Sequence, residues 1–91
     1  MLQIEYTSKF KRDLKLAKKR KKNMASLHQI MQQIEYEKQL SSKLRDHALS
    51  NNWQGHRELH IEPDWLLIYR LIPKENVVIF VRTGTHSDLF K

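Results

Sequence analysis

From Phe10 onward the spacing of apolar residues changes character once along this chain, and that change decides its fold class. Between Phe10 and Ile34 apolar side chains recur every three or four positions. Phe10, Leu14 and Ala17 form one stripe, and Leu27, Ile30, Met31 and Ile34 form a second. Such spacing gathers side chains on one face of a helix. From Trp53 onward the period shortens. Trp53 to Ile61 alternates, Trp65 to Ile72 is almost continuously apolar, and Val77 to Val81 is a β-branched run. These are strand patterns. Helices gathered before strands, rather than interleaved with them, predict an α+β fold.

Local signals refine the order. Leu2, Ile4 and Tyr6 alternate with polar neighbours and predict a short strand at the start. Thr7 or Ser8 can cap the first helix and Asn23 the second, and the short link between them implies an antiparallel hairpin. From Leu40 to Asn52 the pattern is lost. Ser41-Ser42 and Ser50-Asn51-Asn52 mark a loop, which includes His47. Glu62-Pro63-Asp64 and Pro73-Lys74-Glu75-Asn76 read as turns. After Gly84 there is room for about one helical turn. The predicted order is β-α-α-β-β-β: an N-terminal strand and a helical hairpin packed on a small, mainly antiparallel sheet, as one domain over residues 1–91.

The chain has no cysteine, which excludes disulfides, thiolate metal sites and thiol nucleophiles and fits a reducing cytosol. Its longest nearly apolar run is interrupted by Arg70 and falls far short of a membrane span, and no signal-peptide pattern precedes it. A cytoplasmic protein without membrane contact is expected. The net charge of +7 is concentrated in one place. Lys9, Lys11, Arg12, Lys15, Lys18, Lys19, Arg20, Lys21 and Lys22 stand against the single acidic Asp13, so this segment carries the whole excess. That is the footprint of a face that binds a polyanion such as RNA, although a solvated helix surface gives the same composition.

Acid-base chemistry is concentrated in the second half, at His47, His56-Arg57-Glu58-Leu59-His60, Asp64, and Arg82-Thr83-Gly84-Thr85-His86. Histidine titrates near neutrality, so several imidazoles beside an arginine and a carboxylate suit proton transfer on a phosphodiester. No Gly-rich phosphate loop competes with this reading. Along a strand, His56 and His60 would stand about 13 Å apart, too far to share a metal whose ligand nitrogens lie within ~2.1 Å of it. His47, His60, Asp64 and His86 retain a metal site as an alternative if they converge. Metal-free RNA cleavage needs one group to deprotonate a ribose 2′-OH and another to protonate the departing 5′-oxygen, with a fixed cation on the phosphate. His47, His60, Asp64, His86 and Arg82 supply those types. Glu58 reads equally as an exposed strand residue, Asp64 as a turn residue, and His28 as a surface residue.

The string Trp53-Gln-Gly-His-Arg-Glu-Leu-His60-Ile-Glu-Pro-Asp64-Trp65-Leu-Leu-Ile-Tyr69, followed by Arg82-Thr-Gly-Thr-His86-Ser-Asp-Leu-Phe90, closely resembles the YafQ branch of the RelE-type toxins of bacterial toxin–antitoxin modules. The N-terminal strand and basic hairpin are similar too. The resemblance implies a small α+β toxin that cuts messenger RNA in the ribosomal A site without a metal or other cofactor. A cognate antitoxin would neutralise it, and operator DNA would be reached only through that antitoxin. The implied active-site set is His47, His60, Asp64, Arg82, His86 and Phe90. His86 would be the general acid, Asp64 or His60 the base, and Arg82 the phosphate-binding cation. Trp65 stands beside the site with the RNA-binding residues, although core packing is the favoured reading of its ring, whereas Phe90 is read as stacking on a base. Where the family often has aspartate, this chain has Glu58. The basic segment would face ribosomal RNA. The rival reading is a basic module that binds RNA or an antitoxin without catalysis, or a nuclease that needs no ribosome.

Overall fold

A computed structural model describes residues 1–90. Its elements are β1 (Gln3–Tyr6), α1 (Ser8–Lys19), α2 (Met24–Glu35), β2 (His47–Ala48), β3 (Arg57–Glu62), β4 (Trp65–Ile72), β5 (Val77–Gly84) and α3 (His86–Leu89). The five strands form one sheet in the order β1-β5-β4-β3-β2. β1 runs parallel to β5, and the remaining pairs are antiparallel. The predicted α+β order is present, with one strand more than expected.

Thr7 caps α1. Its Oγ1 accepts from Phe10 N at 2.9 Å and donates to Val81 O at 2.7 Å, so the cap also fastens the helix start to β5. Such a cap contributes about 1 kcal/mol. The chain turns through Lys21, which has φ 60°, and Asn23 caps α2 through Ser26 N. The two stripes then meet the sheet. Phe10 and Ala17 of α1, with Leu27, Ile30, Met31 and Ile34 of α2, pack on Leu59, Leu67, Tyr69, Val78 and Phe80. Burying each large apolar side chain stabilises the fold by roughly 1.5–3 kcal/mol. Tyr6, Phe10 and Phe80 stack at centroid separations of 5.8–6.1 Å.

The opposite sheet face carries a smaller cluster of Leu66, Ile68 and Leu89 with Leu49, Trp53 and Val81 around it. Two irregularities shape this face. Ile68 pairs with Arg82 while Tyr69 pairs with Phe80, leaving Val81 as an extra residue. His60 pairs with Leu66 while Glu62 pairs with Trp65, leaving Ile61 as another. Bulges of this kind re-aim nearby side chains.

The expected strand from Trp53 to Ile61 is shorter at its start. Residues 51–53 form a 3₁₀ turn, and Gly55 adopts φ +88°, a left-handed conformation that suits glycine, so β3 begins only at Arg57. The expected loop around His47 instead contains the two-residue β2, which pairs His47 with Glu58 and Ala48 with Arg57. Among the described residues, no helix is long and apolar enough to cross a membrane.

Candidate active site

The register of β2 and β3 puts His47 opposite Glu58, and β3 carries His60 two residues further along the same face. The turn after β3 supplies Asp64, and the single turn of α3 supplies His86. His47 and His60 stand 6.5 Å apart between ring centroids, and His60 and His86 stand 5.8 Å apart. Three histidines from separate parts of the chain therefore meet on the sheet face away from the helical hairpin.

Their hydrogen bonds fix which nitrogen faces the site. His47 Nδ1 lies 2.7 Å from Arg45 O, His60 Nδ1 lies 3.4 Å from Pro63 O, and His86 Nδ1 lies 2.6 Å from Asp64 Oδ1. Each partner is an oxygen that can only accept, given an ionised Asp64, so each Nδ1 holds the proton and donates. Nε2 is thereby left for chemistry in all three rings. Two of these Nε2 atoms flank a single carboxylate. His47 Nε2 is 3.7 Å from Glu58 Oε2, and His60 Nε2 is 3.8 Å from Glu58 Oε1. Glu58 is only 6% exposed, so it is not the exposed strand residue that alternation suggests. A buried carboxylate between two imidazoles stabilises positive charge on either ring.

Asp64 is held differently. It accepts from His86 N at 2.9 Å as well as from the ring, and these bonds, the backbone one foremost, keep its carboxyl below the ordinary range. Lys22 acts in the same direction. Asp64 is thus suited to orienting His86 and stabilising its imidazolium. It is poorly suited to removing a proton.

The strand end that carries His86 is built tightly. Thr85 and Asp88 cap α3 reciprocally, Thr85 N donating to Asp88 Oδ2 at 2.9 Å and Asp88 N to Thr85 Oγ1 at 3.1 Å. Arg20, beyond the last turn of α1, donates to Asp88 Oδ2 at 2.7 Å. That guanidinium, with Thr85 N next in weight, holds the Asp88 carboxyl far below the usual range. A Cβ on Gly84 would come within 3.0 Å of Asp88, so a larger residue there would push this side chain aside by a few tenths of an ångström.

Arg82 and Trp65 are engaged elsewhere, and Phe90 keeps part of its ring exposed. Arg82 is bound by Asp13 of α1, through Nε at 2.7 Å and a terminal nitrogen at 3.2 Å, and Asp13 also accepts from Thr83 N. Arg82 is therefore engaged in joining α1 to β5 and is not a free phosphate cation. Trp65 is 1% exposed and packs in the main core, so its ring is not available for RNA to stack on. Phe90 is 39% exposed and rests edge-on against Trp53 at 5.9 Å. His56 turns toward Trp53 O and Gln54 O, and His28 is exposed on α2, so neither joins the cluster.

Of the nine basic residues, Lys9, Lys11, Arg12, Lys15, Lys18, Lys19, Arg20 and Lys21 are exposed or partly exposed on the hairpin surface. Lys22 is partly covered, 3.9 Å from Glu62 and above the Trp65 ring. Through Arg20 and Lys22 the basic face runs up to the edge of the histidine cluster. Among the described residues, no three His, Asp or Glu side chains are arranged to hold a metal ion.

Two helices packed on a five-stranded, mostly antiparallel sheet are the architecture of YafQ and RelE-like toxins. The family described as bacterial toxin of type II toxin-antitoxin system, YafQ, matches residues 2–91, and the chain belongs to it. The mRNA interferase toxin YafQ of Escherichia coli (strain B / BL21-DE3) is 46% identical over 88 residues, covering 96% of this chain and 94% of the relative. The crystal structure of YafQ from that strain matches with a TM-score of 0.93 at 40% identity, covering the whole of both chains. A metal-bound toxin from Helicobacter pylori matches with a TM-score of 0.92 at 38% identity, over 99% of this chain and all of that one. A YafQ chain in the E. coli DinJ-YafQ complex matches with a TM-score of 0.89 at 42% identity, over the whole of both chains.

Proposed function

We propose that the protein is an endoribonuclease toxin of a type II toxin–antitoxin module that enters the ribosomal A site in the cytoplasm, cuts messenger RNA there and stops translation. The observation that carries this reading is the presentation of three histidine Nε2 atoms on one open sheet face, two beside Glu58 and one on a ring backed by Asp64.

In the reaction, His60 Nε2 accepts the proton of a ribose 2′-OH while O2′ attacks the adjacent phosphorus. The P–O5′ bond breaks, and the departing 5′-oxygen takes a proton from His86 Nε2. The products are a 2′,3′-cyclic phosphate and a 5′-hydroxyl end. Exchange with solvent resets both rings. Glu58 stabilises the imidazolium formed at His60, and His47 shares that carboxylate. Asp64 orients His86 and stabilises its protonated form. The Arg82–Asp13 pair holds β5 in place. Phe90 offers a half-exposed ring to a base. The exposed lysines of α1 face ribosomal RNA.

No metal enters these steps. The relevant partners are the ribosome with its A-site message and a cognate antitoxin, in keeping with the relative crystallised in the DinJ-YafQ complex. Operator DNA is contacted only through the antitoxin. Mapping cellular RNA 5′ ends after brief induction tests the reading. New 5′-hydroxyl ends in reading frame, absent for His86→Ala, are expected. Cutting of naked transcript would transfer the assignment to a ribosome-independent nuclease, and absence of new ends to a binding module. Loss of cleavage with chelator on intact ribosomes would favour a metal-dependent reaction instead.

A further inference from the structure

Asp46 and His47 are consecutive residues whose side chains reach opposite faces of the sheet. His47 meets Glu58 and His60 on the open face. Asp46 reaches toward the hairpin side. Its Oδ2 accepts from Arg57 Nε at 3.2 Å and from a terminal nitrogen at 2.9 Å, and its Oδ1 accepts from the Tyr69 hydroxyl. Arg57 belongs to β3, and Tyr69, 2% exposed, belongs to β4.

The strand that bears His47 is thinly held on the side from which Asp46 enters it. β2 has two residues, lies at the sheet edge, and pairs only through His47–Glu58 and Ala48–Arg57, with the Leu49 N to His56 O bond at 2.9 Å and the packing of Leu49 fastening its far end. It follows a 3₁₀ turn at Ser42–Leu44 and a left-handed Arg45 at φ 56°, whose carbonyl receives the His47 ring proton. A two-residue edge strand frays readily, and a displacement of about 1 Å in a catalytic group can cost on the order of 100-fold in rate. One carboxylate ties β2 to β3 and β4 together. Arg57 and Tyr69 are themselves register partners, so their donors are fixed against each other before Asp46 joins them. Burial, with Asp46 second, pushes the Tyr69 phenol far above its ordinary range, so the hydroxyl remains a donor at every working pH.

We propose that Asp46, Arg57 and Tyr69 are positioning residues that hold His47 Nε2 against Glu58, a role that rests on the cleavage reading above. None of the three need touch RNA. They set the ring from the far side of the sheet through the backbone of the residue next to it.

Tyr69→Phe and Asp46→Ala test this, because the first removes one donor while keeping the ring in the core. For ribosome-bound message, turnover should fall about tenfold in Tyr69→Phe and on the order of 100-fold in Asp46→Ala, with KM unchanged. Asp46→Asn, which keeps an oxygen acceptor, should recover part of the loss. Long-range ¹H–¹⁵N spectra of the purified protein should show the His47 ring losing its single Nδ1–H tautomer and changing its titration, while His86 keeps its signals. Wild-type turnover in a folded Asp46→Ala protein overturns the proposal, as does lost turnover with unchanged His47 signals. If Asp46→Ala fails to fold, Tyr69→Phe decides by the same two readouts. Should the unaltered protein cut no RNA, the cleavage reading falls, and the His47 spectra still decide whether the triad sets the ring.

Discussion

Asp64 Oδ1 accepts two hydrogen bonds from His86, one from its backbone N at 2.9 Å and one from its ring Nδ1 at 2.6 Å. A single oxygen thus fixes both where α3 begins and how its histidine is turned. Because the folded pKa of Asp64 is depressed, this linkage is complete above the ordinary carboxylate range and is lost only as pH falls through the lowered value. Asp64→Asn should reduce turnover by about 100-fold, and His86→Ala by at least as much. The double variant should be no slower than His86→Ala alone, since both act through one ring. Multiplying effects in single-turnover assays would show that Asp64 acts independently.

Glu58→Gln keeps the shape between His47 and His60 and removes the charge. Turnover should fall by about tenfold or more with KM unchanged, because stabilisation is lost only as an imidazolium forms. Full activity in this variant would leave Glu58 as packing alone.

Trp65 and Phe90 should separate stability from activity. Trp65→Ala should cost about 3–5 kcal/mol in urea unfolding, as expected for a large core aromatic. Phe90→Ala should change stability by less than about 1 kcal/mol and still slow cleavage. A stable Trp65→Ala protein with weakened RNA binding would return that ring to the RNA interface.

The exposed lysines of α1 should govern association. Replacing Lys11, Lys15 and Lys18 by alanine should weaken ribosome binding and flatten its salt dependence, by roughly 0.7–0.9 in logarithmic slope for each phosphate no longer neutralised. The chemistry of the histidine cluster should be untouched, so turnover at saturating ribosome should hold. An unchanged salt slope would mean that this face is simply solvated.

Gly84→Ala should disturb the site without disturbing the hairpin. The new methyl group would press on Asp88, which must yield by a few tenths of an ångström and carry α3 with it. Lower thermal stability, by about 1–3 kcal/mol, and slower cleavage are expected. The Arg20–Asp88 pair should also persist on mild acidification: the folded pKa of Asp88 is depressed, so its contribution is present above the ordinary carboxylate range and lost only at strongly acid pH. A melting curve for Asp88→Asn that tracked the unaltered protein from neutral to strongly acid pH would remove this pair from the stability account.

The hairpin is legible in the sequence because its information is local: caps at Thr7 and Asn23 and stripes within a dozen residues. The site is legible in its residue types more than in its arrangement. β2 has no pattern of its own, and two residues become a strand only because β3 offers an edge. Trp53 and Gly55 alternate as strand residues do, but the positive φ at Gly55 belongs to a turn. Alternation puts Glu58 and His60 on one face correctly and is silent on what covers that face. His47 and the α3 turn are brought there by tertiary structure. Arg82 reads as a free cation because its partner, Asp13, lies 69 positions away.

The parallel pairing of β1 with β5, from Gln3–Val77 to Tyr6–Phe80, has a consequence for folding. Bringing these two strands together closes a loop that holds both long helices and the other three strands, which is a slow step. β5 also leads directly into Thr85 and His86. The sheet and the placement of His86 therefore depend on the same long-range closure.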